Sequence, residues 1–291
     1  MLRLAVATAA ETLERITAPL AERGIEAVHV TTEERAIALA DPPADFAGFD
    51  AGFVYPPRLL EGAVADRLLG VPWVNDRAAV LASRNKAEAL LRLAAAGLPS
   101  PETVLVSDPA DAATRRAAYE RVGPSVVVKP NSSTQGVGVA RADDLDSFLG
   151  LTDYLDLVHD FRATADKSFL VQPFLPDAVD YRVMVVDGTY AGAVERRLPA
   201  AARAEGRWKH NVHSEATAEG VDLPADLRAL AEEAADALGV PFCGVDLLVS
   251  GGRAVVAETA ARPTVDDATK YEPDFYDRLA ALVEATAGRG R

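Results

Sequence analysis

A glycine- and hydroxyl-rich loop at 130–138 follows a short apolar run that ends in Lys129. Glycines let backbone amides approach an anion closely, hydroxyls add hydrogen-bond donors, and a lysine adds positive charge. The loop does not end in the Gly-Lys-Ser/Thr of a Walker A motif, and Arg141 occupies the position of the third glycine of a dinucleotide fingerprint. These residue types therefore predict a phosphate-binding loop of another kind, with an ordinary flexible hairpin loop as the alternative.

Two carboxylates, Asp246 and Glu258, lie on the last β-hairpin that the sequence predicts. A turn centred on Gly252 places them directly opposite each other on one face. Paired carboxylates repel unless a cation or a proton lies between them, and such oxygen ligands suit Mg²⁺ that also contacts substrate phosphates. The same register assigns apolar residues to the opposite face: Val245, Leu247, Val249, Val255 and Ala257. In a different register the two acids would point to different faces and into solvent.

A basic and polar set lies before that hairpin, in and after an earlier hairpin whose turn is Asp187-Gly188. This turn pairs Arg182 with Ala193 and Asp180 with Glu195. Arginines beside a phosphate loop can clamp a phosphate or a substrate carboxylate, although such a set is more often a solvated, salt-bridged face. No spacing supports a zinc site or a serine nucleophile. The set consists of Asp180, Arg182, Arg196, Arg197, Lys209, His210 and Asn211.

The composition excludes several classes of protein. The 291 residues are 49% hydrophobic, which is typical of a folded protein of about two domains. A net charge of −14 argues against nucleic acid as a partner, and the lack of a long apolar run or an export signal argues against a membrane and for the cytoplasm. The single cysteine, Cys243, excludes a disulfide framework. The acidic, lysine-poor surface suits a halophilic host or, equally, reflects a GC-rich genome.

The elements that must position these side chains follow from alternating apolar runs and amphipathic stretches. In the first part of the chain, strands are expected at 2–7, 25–30, 51–54 and 71–75. Helices lie between them, one ending at Gly24 and another running from Leu59 to Leu69, so we expect a small α/β domain with a parallel sheet. Ser83 is a good N-cap for the next helix, which Gly97 ends.

The rest of the chain alternates in the same way, with two hairpins toward its end. Further strands are expected at 103–107, 125–129 and 169–174. Helices are predicted to begin at Asp108-Pro109, at about Pro224 and at about Asp274. We expect three units, 1–82, 83–175 and 176–291. The fold class is α/β, with α+β character in the C-terminal half.

Taken together, the motifs resemble the ATP-grasp superfamily and, within it, the RimK-type glutamate ligases. The resemblance runs along nearly the whole chain and keeps its order. Its motifs are Phe49-Asp50-Ala51 through Tyr55-Pro56-Pro57-Arg58, Ser83-Arg84-Asn85-Lys86, VVVKPNSSTQGVGVA (126–140), LVQPFL (170–175), Asp180-Tyr181-Arg182, Glu195-Arg196-Arg197, Lys209-His210-Asn211-Val212-His213, Gly244-Val245-Asp246-Leu247-Leu248 and Glu258-Thr259-Ala260-Ala261-Arg262-Pro263. The resemblance implies an ATP-grasp fold, with a Rossmann-like pre-ATP-grasp domain at 1–82 and two ATP-grasp subdomains after it.

The resemblance also implies a role for each candidate residue. The residues that would bind ATP are Lys86, Lys129, Thr134, Gly136, Gly138, Gln172, Phe174, Asp180, Lys209, His210 and Asn211. Among them the two lysines would contact phosphates, Phe174 would stand at the adenine hinge, and Asp180 would hold the ribose. Asp246 and Glu258 would hold Mg²⁺ or Mn²⁺, and Arg182 and Arg196 would neutralise charge during phosphoryl transfer. Arg58 is the candidate for binding the acceptor carboxylate.

Three departures from the family pattern stand out. Ala260 occupies the position of the asparagine in the Glu-x-Asn magnesium motif, and a methyl group cannot coordinate Mg²⁺. Asp266 or Asp267 is a candidate to replace that ligand. Pro173 stands where RimK-type hinges often have a glutamate, and Lys209-His210 replaces an Arg-Ser pair.

The resemblance implies a carboxylate–amine ligase that forms an amide through an acyl phosphate, with ATP as co-substrate. Glutamate is the expected amine, and a peptide, carrier protein or coenzyme is the expected acceptor, in a homodimer or homotetramer. Two alternatives stay open. One is an ATP-grasp ligase for a lysine-biosynthesis intermediate or a deazaflavin coenzyme, and the other is a nucleotide-binding regulator that has lost turnover, as Ala260 suggests.

Overall fold

The computed structural model describes residues 1–9, 11–134, 136–158, 166–209 and 216–290, and it builds them into three β-sheets with helices packed around them. The first sheet is parallel, in the order β2-β1-β3. Its strands are β1 Leu2–Val6, β2 Ile25–His29 and β3 Ala51–Phe53, and the helices α1 Glu11–Ala21 and α2 Leu59–Leu69 follow β1 and β3. The predicted small α/β arrangement is therefore confirmed.

The strand predicted at 71–75 is wrong, because this segment makes only one parallel bridge, between Gly52 and Trp73. Two hydrogen bonds hold it: the amide of Gly52 donates to the carbonyl oxygen of Pro72 at 2.8 Å, and the amide of Val74 donates to that of Gly52 at 2.9 Å. Proline has no amide hydrogen, so the ladder cannot extend in that direction.

The second sheet is antiparallel, in the order β4-β7-β5-β6. Its strands are β4 Val104–Ser107, β5 Val126–Pro130, β6 Ala140–Ala142 and β7 Ser168–Pro173. The helices α5 Ala112–Val122 and α6 Leu145–Val158 cover one face, where Val126, Val128 and Phe148 are fully buried. Since side chains alternate along a strand, Val127 and Lys129 point to the other face. The helix predicted to begin at Asp108-Pro109 begins instead at Ala112, because Asp111 caps it by accepting from the amide of Thr114.

The third sheet is also antiparallel and has the order β10-β9-β8-β11-β12. Its strands are β8 Val179–Val186, β9 Thr189–Arg197, β10 Thr217–Val221, β11 Phe242–Ser250 and β12 Arg253–Ala260. The remaining helices are α3 Arg77–Arg84, α4 Lys86–Ala95, α7 Ala200–Ala204, α8 Ala225–Leu238 and α9 Phe275–Gly288. Helix α8 packs across β8, β9, β11 and β12, and α4 packs on α8 and β12.

The predicted N-cap role of Ser83 is wrong, since Ser83 lies in the last turn of α3 and Asn85 caps α4. The Asn85 side chain accepts from the amide of Glu88 at 3.2 Å. The Ser83 hydroxyl instead donates to the carbonyl oxygen of Thr259 and accepts from the amide of Ala261, both at 3.0 Å. It therefore ties α3 to the end of β12.

A β-bulge at Ala191 changes the register that the Asp187-Gly188 turn predicts. Next to the turn the prediction is right, with Val186 opposite Thr189, but beyond the bulge Arg182 faces Val194 and Asp180 faces Arg196. The predicted pairs Arg182–Ala193 and Asp180–Glu195 are therefore wrong by one residue. The bulge is stabilised from outside the hairpin, because the carbonyl oxygen of Ala191 accepts from the amide of Glu272 and Gly192 bridges to Tyr271.

A second bulge, at Ala257, acts on the last hairpin. The turn is the two-residue Gly251-Gly252, so Ser250 pairs with Arg253, and the extra residue then restores the predicted pairing of Asp246 with Glu258. The predicted faces of Val255 and Ala257 are wrong for the same reason. Val256 is the buried partner of Leu247, and Ala257 turns to the opposite side.

Each of the three sheets falls within one of the three predicted units, 1–82, 83–175 and 176–291. The exact boundaries remain predictions. Across the residues described, none of the helices combines the length and apolar character needed to cross a lipid bilayer.

Candidate active site

A cleft of about 810 Å³ lies between the second and the third sheet. Strands β5 and β7 form one wall, β8, β9, β11 and β12 form the other, and segment 203–209 closes one side. The predicted residues that line it are Lys129, Gly136, Gln172, Phe174, Asp180, Arg182, Arg196, Lys209, Asp246 and Glu258. Lys86, Thr134, Gly138 and Arg58 are described but do not line it, and His210 and Asn211 lie outside the described residues.

Two carboxylates and two guanidiniums form an ion-pair network in the third-sheet wall of this cleft. Arg182 donates to both oxygens of Asp246, from Nε and, at 2.9 Å, from Nη2. Arg196 lies 3.1 Å from Asp246 through Nη2 and donates from Nε to Asp180 at 3.0 Å. The side chains of Arg196, Asp180 and Asp246 are no more than 12% exposed, so water screens these charges weakly.

The network shifts the pKa values of its two carboxylates in opposite directions. Burial raises the pKa of Asp180 to about 6, and the charge of Asp246 adds to the rise against the opposing effect of Arg196. Burial alone would raise the pKa of Asp246 as well, but Arg182 and Arg196 outweigh burial and lower it. Asp246 is therefore the firmly ionised member of the pair.

Two lysines approach the candidate metal carboxylate Glu258. The Nζ of Lys129, a residue only 5% exposed, lies 3.6 Å from Glu258 and 3.3 Å from the carbonyl oxygen of Ala257. Lys86 Nζ donates to the carbonyl oxygen of Ser133. Burial lowers the pKa of Lys86, and Lys129 lowers it further while Glu258 raises it. Glu258 balances the charges of these two lysines only in part, so a polyanion that binds here would supply further negative charge.

The phosphate loop carries two hydroxyls that lack a partner in the described part of the chain. The Oγ atoms of Ser132 and Ser133 are buried without a hydrogen bond, and buried polar groups of this kind normally meet one. Gly138, at φ +75°, packs so closely that a Cβ there would lie 2.7 Å from Pro130. The loop is therefore folded tightly onto β5 with its unpaired hydroxyls inside.

The opposite end of the cleft is aromatic. The guanidinium of Arg141 stacks 3.9 Å from the centroid of Phe174, and Trp208 meets the same ring edge-on at 5.6 Å. Gln172 lies beside them and donates to the hydroxyl of Thr103 at 2.7 Å. Such a cluster offers a flat apolar slot for a heteroaromatic ring.

Sequence reasoning missed Arg141 and Trp208 as candidate site residues. Arg141 could have been found from the register of the second sheet, because it pairs with Val127 and so shares a face with Lys129. Trp208 carries no comparable signal beyond its position next to Lys209.

The comparisons with known proteins give the family. A model of the RimK-like ATP-grasp domain matches residues 83–277. A probable alpha-L-glutamate ligase of Thioalkalivibrio sulfidiphilus is 31% identical over 230 residues, which are 76% of this chain and 69% of that protein. One from Hydrogenovibrio crunogenus is 30% identical over 224 residues, with the same coverage of 76% and 69%. The chain belongs to the RimK-like ATP-grasp family.

Solved structures agree on the fold. A RimK domain ATP-grasp protein from Sphaerobacter thermophilus superposes with a TM-score of 0.70 at 24% identity, over 97% of this chain and 99% of that one. A D-alanine–D-alanine ligase from Bacillus anthracis, complexed with ATP, gives a TM-score of 0.69 at 17% identity, over 99% and 98%. The predicted ATP-grasp fold, the RimK-like family and the assignment to ATP-dependent carboxylate–amine ligases are confirmed.

The RimK-like ATP-grasp family implies a divalent cation, and the donors present here fit one in part. Asp246 and Glu258 lie opposite each other on the cleft face, and Mg²⁺ is commonly held by one or two carboxylates together with substrate phosphates. Within the described ranges there is no group of three Asp, Glu, His or Cys side chains that could hold a metal without such help. Ala260 supplies no ligand.

The two suggested substitutes for the missing ligand have other contacts. Asp266 lies 2.8 Å from Lys270 and 3.4 Å from Arg15. Asp267 caps the short 3-10 helix Ala268–Lys270 by accepting from the amide of Thr269. Neither is among the residues that line the cleft.

The buried network predicts strong coupling between Arg196 and Asp180. Arg196→Gln should lower the free energy of unfolding by about 3 kcal/mol, because it leaves the buried Asp180 without its cation. The double variant Asp180→Asn/Arg196→Gln removes both charges. Its loss in free energy of unfolding should be about 1 to 3 kcal/mol smaller than the sum of the losses in the two single variants. Urea unfolding of the four proteins measures this coupling. Strict additivity would show that the pair makes no net interaction.

Proposed function

We propose that this protein uses ATP to activate a carboxylate as an acyl phosphate and joins it to the amine of an amino acid, with glutamate as the first candidate. The acceptor would be a peptide, a carrier protein or a coenzyme. The curated relatives at about 30% identity are named probable alpha-L-glutamate ligases, which supports glutamate as the amine. Acyl phosphate chemistry needs positioning and charge neutralisation rather than a protein nucleophile.

The observation that carries this proposal is the convergence of three cations and two carboxylates from both walls on one cleft. Lys129, Arg182 and Arg196 line the same cleft as Asp246 and Glu258. Three cations offset much of the charge of a triphosphate. The two carboxylates suit a metal ion that also contacts the triphosphate. The aromatic slot around Phe174 lies in the same cleft and offers a place for adenine.

Each part of the cleft has a distinct task in the proposed reaction. Lys129 and Lys86 would bind phosphates. Arg182 and Arg196 would stabilise the charge that moves onto oxygen during phosphoryl transfer. Asp246 and Glu258 would hold Mg²⁺, which screens the phosphates from the attacking carboxylate when bound. The loop that contains Gly136 would keep water from the acyl phosphate.

Other assignments made from the sequence remain proposals of the same kind. Asp180 lines the cleft and stays our candidate for the ribose hydroxyls. Lys209 lies over the ring of Trp208 and lines the cleft, and it stays our candidate for contact with the nucleotide. A reaction that consumes ATP supports a cytoplasmic location. The lysine-poor, acidic surface supports a host with a salt-rich cytoplasm. A homodimer or homotetramer is proposed on the family resemblance alone.

Turnover is tested by ADP release from Mg-ATP with pooled amino acids and pooled acidic acceptors, with the products weighed by mass spectrometry. The wild type should release ADP and yield a product heavier by one amino-acid residue. Asp246→Asn and Glu258→Gln should each lower ADP release about 100-fold or more, because each removes a charged metal ligand. Glu219→Gln, an exposed carboxylate on β10 of the same sheet, is the matched control. Near-normal turnover of both cleft variants would contradict the metal assignment.

Nucleotide binding is tested separately through Trp208. The chain has two tryptophans, and Trp73 is buried with its Nε1 donating to Asp66 at 2.8 Å, away from the cleft lining. Adding Mg-ATP should therefore change the emission of Trp208, since an adenine beside Phe174 alters its surroundings. Trp208→Phe should abolish the change and leave the Trp73 emission constant. A wild-type spectrum that ATP leaves unaltered would count against the placement of adenine.

A nucleotide-binding regulator without turnover is the second candidate function, and Ala260 favours it. Ala260→Asn would restore the third position of the family's metal motif. If the protein is a regulator, this variant should raise ADP release from near zero to a measurable rate. If the protein is a ligase, the wild type should already turn over, and the variant should change its rate by no more than a few fold.

A further inference from the structure

Arg262 is a partly buried cation that forms no ion pair with the residues the structure describes. Its Nε is inaccessible to water and has no hydrogen-bond partner in the described ranges, where the side chain also forms no ion pair. Burial lowers the pKa of Arg262 to about 10, and the nearby charge of Arg84 lowers it further while Glu33 opposes the effect. A buried donor without a hydrogen bond and a partly buried charge without an ion pair both cost a fold free energy, so Arg262 has capacity for an anionic partner that the described residues do not supply.

Arg84 is a second cation of the same kind. Burial lowers its pKa too, and among the described residues its guanidinium makes one hydrogen bond, from Nη1 to the carbonyl oxygen of Pro57 at 2.8 Å. The hydroxyl of Ser83, one residue earlier, is bonded to the backbone of Thr259 and Ala261. Since Arg84 follows Ser83 and Arg262 follows Ala261, these bonds hold the two arginines side by side.

The two arginines face the carboxyl edge of the N-terminal parallel sheet. Glu33 follows β2, and the segment 54–58 follows β3 and supplies the carbonyl oxygen that Arg84 binds. Ligands of open α/β sheets bind in the crevice outside this edge. Val54 adds a sign of function, because a buried β-branched residue at φ +54° is strained and such strain collects at binding sites.

The same pair is close to the proposed reaction centre. Arg84 lies two residues before Lys86, and Arg262 lies four residues after Glu258. Even a fully extended chain places four residues within about 13 Å. The two arginines are therefore attached to the same short segments as residues proposed to bind phosphate and metal.

Arg58 belongs to this edge in a different way. It is exposed and already faces two acids, Glu61 at 3.1 Å and Glu33 at 3.9 Å. Its charge is therefore largely balanced, which makes it a weaker anion ligand than Arg84 and Arg262.

We propose that Arg84 and Arg262 together bind a substrate carboxylate, and that this carboxylate is a different group from the one that ATP activates. The inference rests on the proposed ligase function and adds a recognition site to it. Planar guanidiniums bind carboxylates through paired hydrogen bonds, and two of them match one anion in charge and geometry. The carboxylate can belong to the amino acid that donates the amine or to an acidic acceptor.

The first experiment measures Tm with glutarate and with its neutral diamide, glutaramide, at constant ionic strength. Glutarate should raise the Tm of the wild type, and glutaramide should not. Arg262→Met keeps the side-chain length and removes the charge, so it should raise the Tm of the protein without additive and abolish the glutarate shift. An arginine that only supports the fold predicts a lower Tm instead. Arg116→Met, on the exposed face of α5, is the control and should leave both quantities unchanged.

The second experiment measures KM and kcat for each substrate in Arg84→Lys and Arg262→Lys, which keep the charge and lose the planar fork. KM should rise about 10- to 100-fold for one substrate, with kcat within a few fold of wild type. A rise for the amino acid assigns the site to the amine donor, and a rise for the acceptor assigns it there.

The inference is overturned if glutarate leaves the wild-type Tm unchanged, or if Arg262→Met keeps the glutarate shift. It is also overturned if both lysine variants keep wild-type KM values. Each of these results leaves the ligase function intact as long as the wild type releases ADP. If the wild type releases no ADP but glutarate still raises its Tm, the proposed function fails and the carboxylate site stands.

Discussion

The buried network of Asp180, Arg196, Asp246 and Arg182 is the constraint on which the cleft depends. Its members come from three neighbouring strands: Arg182 lies opposite Asp246 in the ladder of β8 with β11, and the bulge at Ala191 moves Arg196 opposite Asp180 in the ladder of β8 with β9. In the register that the turn alone dictates, Asp180 would face Glu195, and two carboxylates would lie opposite each other in the cleft wall. One inserted residue therefore converts a repulsive pair into an attractive one.

Much of the fold could be predicted from the sequence, because the order of apolar runs and turns is a local signal. The pairing of Asp246 with Glu258 was also predicted correctly, although two errors cancelled. The turn has two residues rather than the three that a centre at Gly252 implies, and the extra residue at Ala257 restores the predicted pair. Bulges leave the turn dipeptides unchanged, so sequence reasoning about register misses them. The unpaired state of Arg262 was beyond prediction as well, because a lack of partners is a property of packing rather than of residue type.

The arrangement links metal and nucleotide through charge. The charges of Lys129, Arg182 and Arg196 balance those of Asp180, Asp246 and Glu258. A divalent cation in the proposed site would therefore add an excess of positive charge. Phosphates would supply the missing negative charge. The donors are therefore suited to a metal that arrives with its nucleotide, which is how a site with Ala260 in place of a third ligand can still be complete.

The position of α9 has a consequence for how the chain is made. Phe275, Leu279 and Val283 of this helix share one hydrophobic core with Leu4 and Phe53 of the first sheet. Domains usually fold as they leave the ribosome, in order from the N-terminus. Here part of the surface of β1 and β3 stays uncovered until the helix at the far end of the chain has been synthesised. Strands β1 and β3 are thus translated well before the helix that completes their burial.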